Sequence, residues 1–254
     1  MKWIRYSVAA TTHYGILNGD NTITQVNGDP FKGYDKTSTV LSIDDVQLET
    51  PVVPPTFYCV GLNYTKHISA VGLQIPAKPD VGYRTNNALI AHGQDVIIPP
   101  DATKIHYEGE LVVVIGKKVK NVSIEQVKDC ILGYTIGNDV SERNWQSSDR
   151  TLWRAKNADT FKPMGPWIET DVDLDAMETV VTVNGKEHTR FGTNDMLFGV
   201  EQFISTMSRY LTLYPGDILW MGTDGISPDL QDGDRVDISL TGLGTLSNRF
   251  VRQK

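Results

Sequence analysis

The segment His106-Tyr107-Glu108-Gly109-Glu110 opens onto an apolar run, Leu111-Val112-Val113-Val114-Ile115. Side chains alternate faces along a strand, so Glu108 and Glu110 project from one face at its start. Neighbouring carboxylates repel and burial of an unpaired charge is costly, so a cation is expected between them. A hard divalent ion, Mg²⁺ or Mn²⁺, suits carboxylate and water oxygens. Taken alone, the pair also reads as a solvated strand end. Asp139 shifts that balance, because it follows a second apolar strand over 131–136 and is placed to give a third oxygen ligand. Three carboxylates leave open positions on a metal for a substrate, whereas an Asx turn or helix cap would give Asp139 no such role. A site this acidic calls for nearby positive charge, and Arg84, Arg143 and Lys156 are the candidates. The five histidines show no H-x-x-x-H spacing, so nothing points to zinc.

The elements that must position these groups are mostly strands. Residues 3–8, 12–17 and 22–26 alternate, with turns at Gly19-Asp20-Asn21 and Asn27-Gly28-Asp29-Pro30. Pro51, Pro54 and Pro55 mark a boundary, dividing a small N-terminal β module (1–52) from a larger domain (53–254). In the latter, 57–61, 95–98, 110–115, 217–221 and 235–240 read as strands, and 180–183 before Asn184-Gly185 reads as half of a hairpin. Helices are expected over 64–71, over 123–131 with Ser123 and Gln126 as a capping box, and over 194–211. In the last, Met196, Leu197, Val200, Phe203, Ile204, Met207 and Leu211 recur at helical spacing as a core face. The class is α+β, strand-rich.

Composition sets the outer limits. At 254 residues, 40% hydrophobic and 22% charged, the chain can bury a core. A net charge of −7 speaks against a nucleic-acid partner. No apolar stretch reaches the ~18 residues that span a bilayer, and residues 1–10, with Lys2 and Arg5, hold no continuous apolar run of signal-peptide kind, so no membrane partner and a cytoplasmic location are expected. Cys59 and Cys130 lie far apart and read as reduced, buried thiols.

Five segments, in order, resemble the fumarylacetoacetate hydrolase family over roughly residues 57–251. They are Val60-Gly61-Leu62-Asn63-Tyr64-Thr65-Lys66-His67, the run from Tyr107 to Gly116, and Gly133-Tyr134-Thr135-Ile136-Gly137-Asn138-Asp139-Val140-Ser141. Thr160-Phe161-Lys162-Pro163-Met164-Gly165-Pro166-Trp167 and Pro215-Gly216-Asp217-Ile218-Leu219 before Gly222-Thr223 complete the set. The resemblance implies a mixed β-sandwich roll catalytic domain, a homodimer, and Mg²⁺ or Mn²⁺ held by Glu108, Glu110 and Asp139. It implies His67 as the base, Lys156 as the cation that stabilises an enolate, and Arg143, Gln146, Thr223 and Arg84 around the substrate. The loop from His67 to about Pro79 would be a lid. Three positions depart from the family pattern: Ala70 replaces the glutamate that pairs with the histidine, Arg84 replaces a lysine, and Asp224 replaces a proline. The implied function is catabolic cleavage of a C–C bond in a small 2-oxo acid of the acylpyruvate type. A hydroxy-dienoate isomerase, an oxaloacetate-type decarboxylase and a non-catalytic binder of metal and small acids are the alternatives.

Overall fold

The computed structural model describes residues 1–70 and 72–254; Val71 and the side chain of Ala70 lie outside the described residues. The apolar strand Gly109–Ile115, buried at every position, sits at the centre of the molecule. Its alternation feeds two cores. Leu111, Val113 and Ile115 join one cluster with Val181, Ile238 and Phe203, while Val112 and Val114 join another with Trp3, Phe57, Ile168 and Trp220. A strand buried on both faces reads as a continuous apolar run, as this one does.

Gly109–Ile115 lies in a sheet of twelve strands. On one side it pairs antiparallel with Ile131–Asn138, on the other with Ile218–Trp220, which pairs parallel with Phe57–Val60. The N-terminal strands Lys2–Val8, Thr11–Leu17, Thr22–Asp29 and Gly33–Ser42 form a meander in this same sheet, joined by Lys2–Val8 to Lys162–Glu169. A second sheet, of Glu178–Val183, Lys186–Gly192, Arg235–Leu240, Gly244–Arg252 and Val96–Ile98, packs across the first core. The sheets come close at Gly109, where an added Cβ would meet Val181 Cγ2 at 2.9 Å and Ile238 Cγ2 at 3.1 Å. The hairpin turn at Asn184-Gly185 forms as expected, both residues at positive φ.

The α-helices among the described residues are α1 (Thr65–Ala70), α2 (Arg143–Ser148) and α3 (Val200–Tyr210). Several expectations need correction. The helix expected over 194–211 is the shorter α3, preceded by a 3₁₀ turn Thr193–Asp195. Residues 197 and 198 are claimed by Asn63, whose backbone oxygen accepts from Leu197 N at 2.7 Å and whose Oδ1 accepts from Phe198 N at 3.0 Å. The segment Ile124–Cys130 is 3₁₀ rather than α, with its Ser123–Gln126 capping box present. The turn at residues 27–30 comes later than expected, since the strand runs on through Asp29 and leads into Gly33–Ser42, a strand the polar sequence conceals. Cys59 is buried with its thiol pushed up to about 12 by burial, but Cys130 is only half-buried. Among the described residues no helix is long and apolar enough to cross a membrane.

Candidate metal centre and its surroundings

Glu108 stands just before the central strand, Glu110 is its second residue, and Asp139 follows the neighbouring strand Ile131–Asn138. Register explains why they meet: Gly109 pairs with Asn138 and Glu110 with Gly137. Asp139 N donates to Glu108 O at 2.9 Å, and Glu108 N donates to Asn138 Oδ1 at 3.0 Å. Carboxylate oxygens of all three acids lie within 4.8 Å of one another, and all three residues are buried.

The cations are unevenly shared. Asp139 Oδ1 meets Lys162 Nζ at 2.7 Å and Arg84 Nε at 3.3 Å, while Oδ2 meets Arg84 Nη2 at 2.9 Å and Lys156 Nζ at 3.1 Å. Glu108 Oε1 accepts from Arg143 Nη2 at 2.7 Å, and Oε2 accepts from Lys156 Nζ. Burial alone would raise the Asp139 carboxyl, but Arg84, Lys156 and Lys162 overcome it and hold the group well below the usual range. Glu108 is likewise lowered, against burial, by Lys156 and Arg143. Glu110 touches no cation among the described residues: its Oε2 accepts from Gly222 N, at 2.8 Å. Burial first, then Asp139 and Glu108, push its carboxyl well above the usual range. One acid of three, buried and unneutralised beside two others, is where a positive charge is lacking. All three donors are hard oxygens, so they fit Mg²⁺ or Mn²⁺ and would hold it through Glu108, Glu110 and Asp139.

The remaining candidates divide into those that touch the acids and those that do not. Arg84, Arg143 and Lys156 touch them directly, and Gln146 joins through Arg143, whose Nη1 donates to Gln146 Oε1 at 2.8 Å. Both Arg143 and Gln146 are on the short helix α2. The Glu142 side chain caps it at Trp145 N and also accepts from Thr103 N and Lys104 N. His67, on α1, and Thr223 make no hydrogen bond to the acids. They are linked to them by the turn 222–225. Gly222 N reaches Glu110, and Gly225 O lies 3.1 Å from His67 Nδ1. Both glycines have positive φ, and a Cβ on Gly225 would meet Thr189 Cγ2 at 2.5 Å. Asp224 turns inward, its Oδ1 accepting from Gly225 N at 2.8 Å, so it braces the turn.

Lys162 carries no role when the sequence is read by itself, although it lies within a family-like segment. It is fully buried at the start of Lys162–Glu169, bonded also to Val140 O and Phe161 O, and burial pushes it down to about 8. Its setting between Phe161 and Pro163 is the sole local sign that it is not a solvated charge.

The family profile described as fumarylacetoacetate (FAA) hydrolase, C-terminal, matches residues 56–251, and one described as Rv2993c-like, N-terminal, matches residues 1–51. Protein Rv2993c of Mycobacterium tuberculosis is 40% identical over 239 residues, covering 91% of this chain and 89% of its own. Oxaloacetate tautomerase YisK of Bacillus subtilis is 34% identical, covering 84% of this chain and 76% of its own. A solved structure of 5-carboxymethyl-2-hydroxymuconate delta-isomerase from Mycobacterium smegmatis superposes with a TM-score of 0.92 at 35% identity, over 100% of both chains.

Proposed function

We propose, from the premise that this chain belongs to the fumarylacetoacetate hydrolase family, that it moves a proton at C3 of a small 2-oxo acid, a keto–enol or double-bond isomerisation assisted by a divalent metal. A C4 dicarboxylate such as oxaloacetate is the first substrate to try. The observation that carries this reading is the bonding of His67. A carbonyl oxygen can only accept, so Gly225 O fixes the proton on Nδ1 and leaves the Nε2 lone pair free to take or return a proton. No carboxylate hydrogen-bonds the ring among the described residues. C–C hydrolysis, the first expectation from the sequence, needs an activated water, and a histidine–carboxylate pair is the usual means of orienting its base. Proton exchange at carbon needs a base but no activated water.

Lys156, between Glu108 and Asp139, places a positive charge where an enolate oxygen would develop. Arg143, whose Nη1 donates to Gln146 Oε1, and the Gln146 amide nitrogen are the groups that would donate to the distal carboxylate. A bound divalent ion would supply Lewis acidity toward the 2-oxo and carboxylate oxygens. The tautomerase and isomerase among the similar proteins support the same class.

The test follows enol-to-keto conversion of oxaloacetate in Mg²⁺, with pyruvate, CO₂ and acetylpyruvate cleavage measured alongside. Accelerated tautomerisation, lost by about 10²- to 10⁴-fold in His67→Gln, is the expected outcome. Pyruvate plus acetate from acetylpyruvate would replace this reading with hydrolysis. CO₂ and pyruvate from oxaloacetate, without faster tautomerisation, would replace it with decarboxylation.

A further inference from the structure

His106 heads the segment that carries the metal ligands, yet nothing in the proposed chemistry uses it. It lies in the two-residue strand Ile105–His106, paired with Ser141–Glu142, and its register partner is Ser141. Arg143 follows that partner strand directly, and its backbone N donates to Lys104 O at 2.9 Å. The ladder therefore brings the Arg143 side chain alongside the imidazole. Arg143 Nε donates to His106 Nδ1 at 3.1 Å. The other ring nitrogen, Nε2, lies 2.7 Å from Asp229 Oδ1. Asp229 is held in turn, because Leu230 N donates to Ile105 O at 2.8 Å and Ser227 Oγ accepts from Tyr107 N at 3.1 Å.

These contacts leave one arrangement of protons. A guanidinium N–H can only donate, so His106 Nδ1 is the acceptor and the ring proton sits on Nε2, donating to Asp229. All three faces of the guanidinium are then assigned: Nε to His106, Nη1 to Gln146 and Nη2 to Glu108. An arginine on a long flexible stem gains a single orientation only when each edge of its fork is held. Gln146 and Glu108 hold the outer edge, which faces the site. His106 holds the inner one.

We propose that His106, oriented by Asp229, is a positioning residue that fixes the Arg143 guanidinium and so sets the affinity for the distal carboxylate of the substrate. The proposal rests on the reading of Arg143 as a substrate-holding group.

The test compares His106→Leu, which removes the acceptor, with His106→Asn, whose Oδ1 can stand where Nδ1 does, and with Asp229→Leu. The full-length protein is used in Mg²⁺, with oxaloacetate as the probe. A lost bond to a charged group predicts a KM roughly tenfold higher in His106→Leu with kcat within about threefold. His106→Asn should restore KM, and Asp229→Leu should fall between. A purely structural role would instead lower the melting temperature and leave KM unchanged. A second readout needs no turnover: in ¹⁵N spectra of the wild type, His106 should show an unprotonated Nδ1 and a protonated Nε2. Arg143 Nε–H should exchange slowly in the wild type and His106→Asn, and fast in His106→Leu. Absence of oxaloacetate turnover in the wild type, with this signature intact, would sink the substrate reading and leave the positioning role standing. Wild-type turnover with an unchanged KM in His106→Leu, or a protonated Nδ1, overturns the proposal.

Discussion

At the scale of single residues, the informative contrast is between Glu110 and its two neighbours. Asp139 and Glu108 are drawn down by cations that Glu110 does not touch. The folded-state value of Glu110 lies above its unfolded one, so in metal-free protein its ionisation costs stability. That cost is absent below about pH 4.5 and grows as pH rises toward the raised folded value. Glu110→Gln should therefore raise metal-free stability at neutral pH by about 1–3 kcal/mol, while abolishing the thermal shift with Mg²⁺. Calorimetric melts from pH 5 to 7 check both: a variant less stable than wild type without metal would mean Glu110 is already compensated. Lys156→Met should lower turnover by about 10²- to 10³-fold and keep a Mg²⁺-dependent melting shift, since the three carboxylates remain. The paired glutamates were legible in the sequence because two acids spaced by two residues ahead of an apolar run must share one face of a strand. Lys162 was not, because its burial is decided by tertiary neighbours the local sequence does not show: Asp139 and Val140 beyond one strand end, and Leu89 as its register partner.

At the scale of elements, the site depends on strand register more than on helix content. Gly109 lets the second sheet approach between the two glutamates, and Gly137, opposite Glu110, lets the Trp220 ring lie against the sheet, at 2.7 Å from an added Cβ. Gly109→Ala should cost about 1–3 kcal/mol through overpacking. It should also weaken Mg²⁺ binding, measured by titration calorimetry, because both flanking ligands must move. An unchanged affinity would mean that the sheets yield without disturbing the ladder. The central strands and the Asn184-Gly185 hairpin were readable because their burial and turn chemistry are local properties. The first turn expected for α3 failed for a non-local reason: Asn63, 135 positions from Phe198, takes the amides a helix start would use. Gly33–Ser42 was hidden because a mostly exposed outer strand has no apolar face to repeat.

At the scale of the whole molecule, the N-terminal meander and the ligand-bearing strands share one hydrogen-bonded sheet. Trp3 and Ile168 pack in the same core as Val112 and Val114, which follow Glu110 along the same face of the central strand. Removal of residues 1–51 would leave Lys162–Glu169 without its partner Lys2–Val8 and expose that edge. The shortened chain should associate, read by light scattering after size exclusion, and lose its melting response to Mg²⁺; a monodisperse, metal-responsive fragment would show that the larger sheet closes without it. The same pairing also has a consequence in time. Lys2–Val8 leaves the ribosome well before its partner, which is made some 160 residues later. At about 5–20 residues per second, the meander waits on the order of ten seconds with Trp3 uncovered. For that interval the newborn chain should carry a sticky, half-finished sheet, so the call for a chaperone should be greatest during synthesis.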